Sequence, residues 1–400
     1  MISQTISAIS CAGLALCGGV AANVAGHYAH GAVVSTTRLA HLTQAETEAY
    51  LRSGNLTTPV RNGVDAYRVV YRTITTRGRR TTASGLVILP GTGSRHLPVV
   101  AFQHGTLVLK GDAPSTNGTS RPDRAQAMMF AAAGYTAVAP DYLGLGKGPG
   151  RHPYTHAPTE VSVSADLLQA ARTIAGRQHR TLDPKVLVTG FSEGGHAAMA
   201  LGKALQVGKV PHFGLGALAP VSGPYDVQHA ETPAGLDGRV SPQNAVFSFA
   251  YWVTSMNRVY HLYRKPAEAF QEPYAGVVKQ LFDGHHDETA IAKALPPAPQ
   301  RLMTPAIVTW ARQPTGALLR AMQESDGTCT WKPRVPVRLY AASGDKNVPI
   351  QNARNCQAAL GGAGVPLTDL GANVDHSGSV RAALPQILNW FEQLAPAQRG

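Results

Sequence analysis

A Gly-x-Ser-x-Gly pattern is the feature of this sequence with the clearest chemical content. Residues 190–194 read Gly-Phe-Ser-Glu-Gly, with an apolar run at 186–189 before them and an Ala-rich helical pattern after them. In this context a strand turns sharply into a helix and exposes a strained serine, whose hydroxyl acts as a nucleophile. We therefore expect Ser192 to be a catalytic nucleophile rather than a structural serine in a tight turn.

A serine nucleophile needs a general base, which in this kind of site follows the serine and an acidic residue along the chain. His376 is the only histidine after His286, and it lies between a predicted strand at 368–374 and a predicted helix. Ligands bind at the carboxyl ends of such strands. His196 is fixed in the helix after the serine, and His285 lies in a polar stretch. His376 is therefore the expected base.

The base needs an acid to orient it, and Asp345 is the expected one. It follows a predicted strand at 335–341 in a Ser-Gly-Asp turn, which directs a carboxylate to the same edge of the sheet. Asp375 competes, but as the immediate neighbour of His376 it should point the opposite way. Asp369 begins a strand and is less well placed.

Two backbone N–H groups must stabilise the oxyanion of an acyl-transfer reaction. The residue after the nucleophile, Glu193, supplies the first. An early predicted strand at 99–103 leads into His-Gly-Thr, which indicates Thr106 as the second donor, with Leu107 or Gly105 as alternatives.

The elements around these residues alternate between strand and helix. Predicted strands cover 68–75, 82–89, 99–103, 135–139, 185–189, 215–220, 335–341 and 368–374, and predicted helices cover 124–133, 163–174, 196–205, 351–360 and 380–394. This order predicts an α/β fold with a mostly parallel sheet covered by helices on both faces. The first two strands, joined around Gly78, should form an antiparallel hairpin.

The alternation stops between residues 226 and 333, a stretch of roughly 100 residues that is too long for a plain loop. Helical patterns cover 243–258, 266–282, 288–295 and 316–322, and they carry many aromatic residues. We expect a helical cap over the carboxyl edge of the sheet; the alternative is a helical layer without contact to a pocket. The predicted organisation is a signal peptide (1–25), a first part of the core (38–225), the cap (226–333) and a second part of the core (334–396).

Composition excludes several classes of protein. The chain has 400 residues, 44% of them hydrophobic, so it is not intrinsically disordered. Its formal charge of +12 is spread along the chain, which disfavours a nucleic-acid partner and favours weak attraction to anionic surfaces. The glycine-rich segment 144–150 lacks a phosphate-binding Lys-Ser/Thr, and the segment 285–287 (His-His-Asp) lacks a further metal ligand. No cofactor and no metal are therefore expected.

The amino-terminal segment predicts export. Residues 1–37 contain no Lys, Arg, Asp or Glu, and the small apolar residues of 6–25 resemble the hydrophobic part of a signal peptide. An uncleaved membrane anchor and a disordered tail are the alternatives. We expect a secreted or periplasmic protein, in which Cys329 and Cys356 form a disulfide rather than remain two buried thiols.

Several motifs together resemble the secretory lipase family of α/β-hydrolases, the lipase A type, and its bacterial relatives. They are Ala-Phe-Gln-His-Gly-Thr (101–106), Pro-Asp-Tyr-Leu-Gly-Leu-Gly (140–146) with His-Pro-Tyr (152–154), the serine motif (190–196), Gly344-Asp345 with Val348-Pro349, and Asp375-His376 with Gly378. The resemblance spans residues 60–395. It implies a Ser192, Asp345 and His376 triad, a helical lid over an acyl-binding tunnel, and Asp141 and Tyr142 close to the floor of the site. His104 is expected to orient its loop rather than to transfer protons. Glu193 stands where Gln or Gly is common and brings a carboxylate near the site.

These features predict a serine hydrolase that cleaves carboxylic esters of short- to medium-chain acids or glycerides. Its partner would be a small-molecule or lipid ester, with a lipid interface as one setting. The alternatives are an esterase acting on cell-wall, polyester or aryl esters, a serine peptidase, and a binding protein on a catalytically dead hydrolase fold. The intact set of Ser192, Asp345 and His376 argues against the last.

Overall fold

The computed structural model of the chain describes residues 29–116 and 122–397. The predicted signal peptide at 1–25 lies outside the described residues. Within them, no helix combines the length and the apolar character needed to cross a membrane.

The described residues form nine strands and thirteen α-helices, together with a few single helical turns. The strands are β1 (Val33–Leu42), β2 (Val64–Ile74), β3 (Arg80–Pro90), β4 (His96–Gln103), β5 (Thr136–Pro140), β6 (Thr181–Phe191), β7 (Gly214–Val221), β8 (Leu339–Ala341) and β9 (Leu367–Asp369). The helices are α1 (Gln44–Ser53), α2 (Asp123–Ala132), α3 (Ala157–Arg177), α4 (Glu193–Gln206), α5 (Thr232–Asp237), α6 (Pro242–Tyr260), α7 (Tyr274–Leu281), α8 (Glu288–Ala294), α9 (Pro299–Leu302), α10 (Pro305–Arg312), α11 (Gly316–Asp326), α12 (Gln351–Leu360) and α13 (His376–Leu394).

All nine strands belong to one sheet, in the order β1-β2-β3-β5-β4-β6-β7-β8-β9. The strands from β5 to β9 pair in parallel, whereas β1, β2 and β3 pair antiparallel and β3 joins the parallel part through β5. The predicted hairpin is confirmed, since β2 and β3 pair from Val64 with Pro90 to Ile74 with Arg80. The chain passes from β4 to β5 on one side of β4 and then crosses to β6 on its other side, which creates the kind of switch point where ligands bind in open α/β sheets.

Helices cover both faces of this sheet, as predicted. One apolar cluster joins the sheet to α3, α4 and α12, and a second joins its other face to α1, α2 and α13. The central strands β4, β5 and β7 are almost entirely buried, because burial on two faces favours continuous apolar sequence over alternation. The predicted fold class, an α/β-hydrolase fold, is confirmed.

The structure differs from the predicted elements in several places, and the helices α5, α9 and α10 were not predicted. β1 and α1 were not predicted, because β1 is largely exposed and lacks an alternating apolar pattern. The helix predicted at 266–282 is interrupted: a short turn at Pro266–Glu268 is separated from α7 by Pro273, whose missing N–H cannot continue a helix. β8 and β9 are shorter than predicted, since each pairs over three residues.

Residues 227–329 are built of helices from α5 to α11 and short helical turns, with no named strand. Their apolar side chains form a separate cluster that also takes in Val108 and Tyr154 from the core. Aromatic stacking contributes to this cluster: the rings of Tyr251 and Phe282 lie 4.5 Å apart at 12°, and those of Tyr154 and Tyr251 lie 4.5 Å apart at 3°. We call residues 227–329 the cap; its predicted bounds at 226–333 and its role as a lid stay predictions.

The predicted disulfide is present between Cys329 and Cys356 and joins the end of the cap to α12. It closes a loop of sequence separation 27, for which the chain-entropy model gives a stabilisation of about 3.5 kcal/mol.

We expect the double variant Cys329→Ser, Cys356→Ser to lose roughly 3 kcal/mol in the free energy of unfolding by urea titration. Wild-type protein treated with a reductant is the control and should fall by a similar amount; equal stability of all three samples would contradict the prediction.

Candidate active site

Ser192 lies at the turn between β6 and α4 with φ 58° and ψ −122°, a backbone conformation that is unusual for a residue with a side chain. The glycines on either side make the turn possible. A Cβ atom at Gly194 would overlap the carbonyl oxygen of Gln103, and one at Gly190 would overlap the carbonyl oxygen of Gly194. The turn therefore presents the serine side chain at the carboxyl edge of the sheet, as the nucleophile-elbow motif predicts.

The structure brings the three predicted triad side chains into one chain of hydrogen bonds. Ser192 Oγ lies 2.9 Å from His376 Nε2, and His376 Nδ1 lies 2.6 Å from Asp345 Oδ2. The Asp345 side chain is fully buried, and its Oδ1 accepts hydrogen bonds from the N–H groups of Asn347 (2.8 Å) and Val348 (3.0 Å). This arrangement holds the carboxylate in place, where it accepts a hydrogen bond from His376 Nδ1–H. Nε2 therefore carries no proton and can take one from the serine hydroxyl.

The competing acids do not reach the imidazole. Asp375 is 76% exposed and caps α13 by accepting a hydrogen bond from the N–H of Gly378. Asp369 accepts hydrogen bonds from the N–H groups of Ser343 and Gly371. Both carboxylates shape the turns around the site.

The two predicted oxyanion donors come from the loops that follow β4 and β6. Glu193 is the first residue of α4, where backbone N–H groups have no acceptor within the helix. Thr106 follows β4, and it lines the same cavity as Ser192 and Gly105. Leu107, an alternative donor, is 1% exposed and does not line that cavity. This placement favours Thr106 over Leu107 as the second donor.

His104, Asp141 and Tyr142, the substrate-pocket candidates of the family resemblance, are buried and are not among the residues that line the cavity. His104 Nδ1 lies 2.6 Å from the carbonyl oxygen of Gly105 in its own loop, and Tyr142 Oη donates to the carbonyl oxygen of His104 at 3.1 Å. Asp141 accepts hydrogen bonds from the hydroxyl of Ser84 and the N–H of Ser115. A position next to a motif does not reveal which way a buried side chain points.

The Glu193 side chain points into the protein. It is fully buried and hydrogen-bonded to His152, and it does not line the cavity. The carboxylate that Glu193 brings near the site therefore faces the protein interior and not the cavity. One signal for its partner is visible in the sequence, because His152 belongs to the His-Pro-Tyr segment of the family resemblance.

A cavity of about 830 Å³ opens onto Ser192 and His376. The cap contributes Phe247, Phe249 and Trp252 of α6 to its lining, so aromatic side chains of the cap contact a pocket. The core also contributes to the lining, and its polar or charged lining residues include Asn55, Gln126, Asp123 and Arg381. A cavity of this size and mixed lining accommodates an apolar group together with a polar one.

Glu231, a residue that sequence reasoning missed, also lines the cavity. Asn352 Nδ2 donates to its Oε1 at 2.5 Å. Burial raises the pKa of the Glu231 carboxyl to about 8, and the nearby carboxylates of Asp345, Asp226 and Asp326 act in the same direction, while the Asn352 hydrogen bond opposes them. The folded protein therefore favours the neutral carboxylic acid at this position.

This raised pKa predicts an effect of pH on stability. The neutral form is favoured by folding, so the contribution is fully present below about 4.5 and is lost as the pH rises through about 8. We expect Glu231→Gln, which keeps an acceptor for Asn352, to raise the melting temperature above wild type by a few °C at pH 9 and by nothing at pH 4. Glu288→Gln, at an exposed position of the same cavity, is the matched control. A difference that is the same at every pH would contradict the assignment.

One group of three potential metal ligands occurs among the described residues, and it lies outside the segment 285–287. Asp226, His229 and Asp326 place their ligand atoms within 4.8 Å of one another. Protein donors already occupy these carboxylates: Asp226 Oδ1 accepts from the N–H of His229, and Asp326 Oδ1 accepts from the N–H of Val227. These carboxylates therefore stabilise the backbone at the start of the cap.

Comparison with known proteins supports a class for this site. No protein-family model matches the chain, and no curated protein matches it by sequence. A protein from Legionella pneumophila with a provisional hydrolase assignment is 27% identical, with a TM-score of 0.83 over 90% of this chain and 98% of that chain. The rice cell wall degrading esterase LipA from Xanthomonas oryzae is 28% identical, with a TM-score of 0.76 over 93% of this chain and 100% of that chain.

Lipase A from Candida antarctica, in its closed state, has a TM-score of 0.61 over 88% of this chain and 79% of that chain, but only 14% identity. That similarity extends to the fold alone. The sheet topology and all of these similar structures define an α/β-hydrolase fold. The hydrolase and the esterase at 26% to 28% identity also support an ester hydrolase.

Proposed function

We propose that the protein is a secreted carboxylic ester hydrolase that works through an acyl-enzyme on Ser192. The observation that carries the proposal is the continuous hydrogen-bonded path from Ser192 Oγ to His376 Nε2 (2.9 Å) and from His376 Nδ1 to Asp345 Oδ2 (2.6 Å). The disulfide between Cys329 and Cys356 supports export, because such bonds persist in oxidising compartments.

In the first half of the reaction, Ser192 Oγ attacks the acyl carbon while His376 Nε2 takes the serine proton. The N–H groups of Glu193 and Thr106 donate to the oxyanion of the tetrahedral intermediate. When the intermediate collapses, His376 returns the proton to the leaving alcohol and the acyl group stays on Ser192. Asp345 accepts a hydrogen bond from the Nδ1–H group of His376 throughout and stabilises the imidazolium.

In the second half, water replaces the alcohol. His376 takes a proton from the water as its oxygen attacks the acyl carbon, and a second oxyanion forms in the same position. Collapse breaks the bond to Ser192 Oγ, which regains its proton from His376, and the carboxylic acid leaves. The balance of atoms is one ester and one water consumed for one acid and one alcohol formed.

The apolar wall of the cavity supports a hydrophobic acyl group. Phe247, Phe249 and Trp252 provide it, and they belong to the cap that we propose acts as a lid. We also propose membership of the secretory lipase family, lipase A type, on the motifs described above. Esters of short- to medium-chain acids, including glycerides, are the proposed substrates.

A second candidate is an esterase that acts on plant or bacterial cell-wall esters. It is favoured by the likeness to the rice cell wall degrading esterase and by the polar lining residues Asn55, Gln126 and Arg381 of the cavity. Such a substrate would place a polar alcohol group against these residues.

The chain-length preference separates these candidates. We expect nitrophenyl esters from acetate to palmitate to give the highest kcat/KM at butyrate to octanoate, with no turnover of peptide anilides. Preference for palmitate with activation by a lipid interface would indicate a lipase for long chains. Turnover of anilides alone would contradict an ester hydrolase, and higher kcat/KM on acetylated or feruloylated polysaccharide than on any nitrophenyl ester would favour the second candidate.

A further inference from the structure

A buried imidazole and carboxyl pair lies directly behind the proposed oxyanion hole. His152 Nε2 is 2.7 Å from Glu193 Oε1, and the exposed fractions of these side chains are 3% and 0%. His152 Nδ1 lies 3.0 Å from the carbonyl oxygen of Leu143, which can only accept, so Nδ1 carries a proton and Nε2 shares one with Glu193. The N–H of Thr155 also donates to Glu193 Oε1, at 3.2 Å.

This pair restrains the first oxyanion donor, since the donor is the backbone N–H of Glu193 itself. The side chain of Glu193 is tied to the segment that carries His152 and Thr155, and Thr155 has the unusual φ of 51°. Glu193 Oε2 has no hydrogen-bond partner among the described residues, so the carboxyl group depends on the contacts of Oε1. Loss of these contacts would free the first turn of α4 to shift.

The same pair is connected to the loop of the second donor. Tyr142 stacks on His152, with ring centres 5.7 Å apart and planes at 11°, and its hydroxyl donates to the carbonyl oxygen of His104 at 3.1 Å. His104 is two residues before Thr106 in the loop after β4. One stack of rings therefore joins the two sides of the proposed oxyanion hole.

Helix α6 of the cap also forms hydrogen bonds with this group of residues. Arg258 Nη2 donates to the carbonyl oxygen of His152 at 2.7 Å, and Tyr251 Oη donates to the carbonyl oxygen of Leu107 at 3.0 Å. Leu107 directly follows Thr106. The cap thus contacts the loop that supplies the second donor and the segment that carries His152.

We propose that His152 and Glu193, together with Tyr142, whose ring stacks on His152, are positioning residues that hold the two oxyanion donors in place. The inference rests on the proposed ester hydrolysis, since it assigns a role within that reaction. Positioning residues of this kind change the stability of the transition state more than the binding of the substrate.

A second buried pair provides a matched control. His196 Nδ1 lies 2.8 Å from Glu160 Oε2, and the exposed fractions of these side chains are 0% and 1%. His196 is also on α4, but its other ring nitrogen contacts Ser325 rather than an oxyanion loop. Breaking the His196–Glu160 pair should therefore lower the stability of the fold about as much as breaking the His152–Glu193 pair, without altering either loop that supplies an oxyanion donor.

The test compares Glu193→Ala, Glu193→Gln and Glu160→Ala on a nitrophenyl butyrate substrate. We expect Glu193→Ala to lower kcat roughly 10- to 100-fold with KM changed less than about threefold, and Glu193→Gln to recover most of that loss because it keeps an acceptor for His152 and Thr155. A trifluoromethyl ketone, whose adduct places an oxyanion in the hole, should lose affinity in parallel with kcat. Glu160→Ala should lower the melting temperature similarly while kcat stays within about threefold of wild type.

Tyr142→Phe removes one hydroxyl and keeps the ring, so it tests the positioning role even if Glu193→Ala does not fold. We expect it to lower kcat roughly three- to tenfold at unchanged KM. Equal losses of kcat in Glu160→Ala and Glu193→Ala, or normal kcat in both Glu193→Ala and Tyr142→Phe, would overturn the inference. A wild-type protein without ester hydrolysis would instead overturn the proposed function.

Discussion

Replacing Ser192 with alanine is expected to lower kcat for ester hydrolysis by about 10⁴- to 10⁶-fold and to leave the fold intact. The variant removes the only atom that forms a bond to the acyl group, Oγ, while it keeps the Cβ atom and therefore the elbow conformation with φ 58°. The measurement is kcat on nitrophenyl butyrate, with the melting temperature and circular dichroism spectrum recorded on the same preparation.

Ser222 offers a matched control for this variant. It follows β7, is buried and has a positive φ of 46°, and its hydroxyl contacts Ser379 at 2.9 Å rather than His376. Ser222→Ala should keep kcat within about threefold of wild type. Turnover by Ser192→Ala above about 1% of wild type would contradict a nucleophilic role for Ser192.

The second large effect is expected for Asp345→Asn, with kcat lowered about 10³- to 10⁴-fold. The amide is nearly the same size as the carboxylate, so the N–H groups of Asn347 and Val348 retain an acceptor. It no longer offers a negative charge to His376 Nδ1, and it stabilises the tautomer in which Nε2 carries the proton and cannot accept one from the serine. The loss should appear in kcat at saturating substrate.

Asp375→Asn is the control for this change, since it alters the residue next to His376 by the same single substitution. Its carboxylate is 76% exposed and caps α13, so we expect a small loss of stability and a kcat within about threefold of wild type. A larger loss in Asp375→Asn than in Asp345→Asn would transfer the orienting role to Asp375.

Much of the catalytic framework could be predicted from the sequence because its constraints are local. The sharp turn at Ser192 requires glycines at 190 and 194, and both glycines are visible in the sequence. His376 and Asp345 could be found because each follows a strand, and the carboxyl ends of parallel strands meet at one edge of the sheet. The disulfide could be predicted because only two cysteines, Cys329 and Cys356, lie outside the predicted signal peptide.

The surroundings of the site depend on tertiary contacts that leave little trace in the sequence. Glu231 and Asn352 are far apart along the chain and meet only in the folded protein. His152 and Glu193 are separated in the same way, so the inward direction of the Glu193 carboxylate could not be read from its place beside the nucleophile. β1 was missed for a different reason, because an exposed edge strand needs no apolar alternation.

The most direct test of the central claim is to locate the residue that a fluorophosphonate modifies. The reagent phosphonylates a serine only where a base has activated it, so the wild-type protein should gain one label per chain and tandem mass spectrometry should place it on Ser192. Ester hydrolysis should fall in proportion to labelling, and denatured protein should remain unlabelled. A label on any other residue, or full ester hydrolysis without a label on Ser192, would contradict the proposed mechanism.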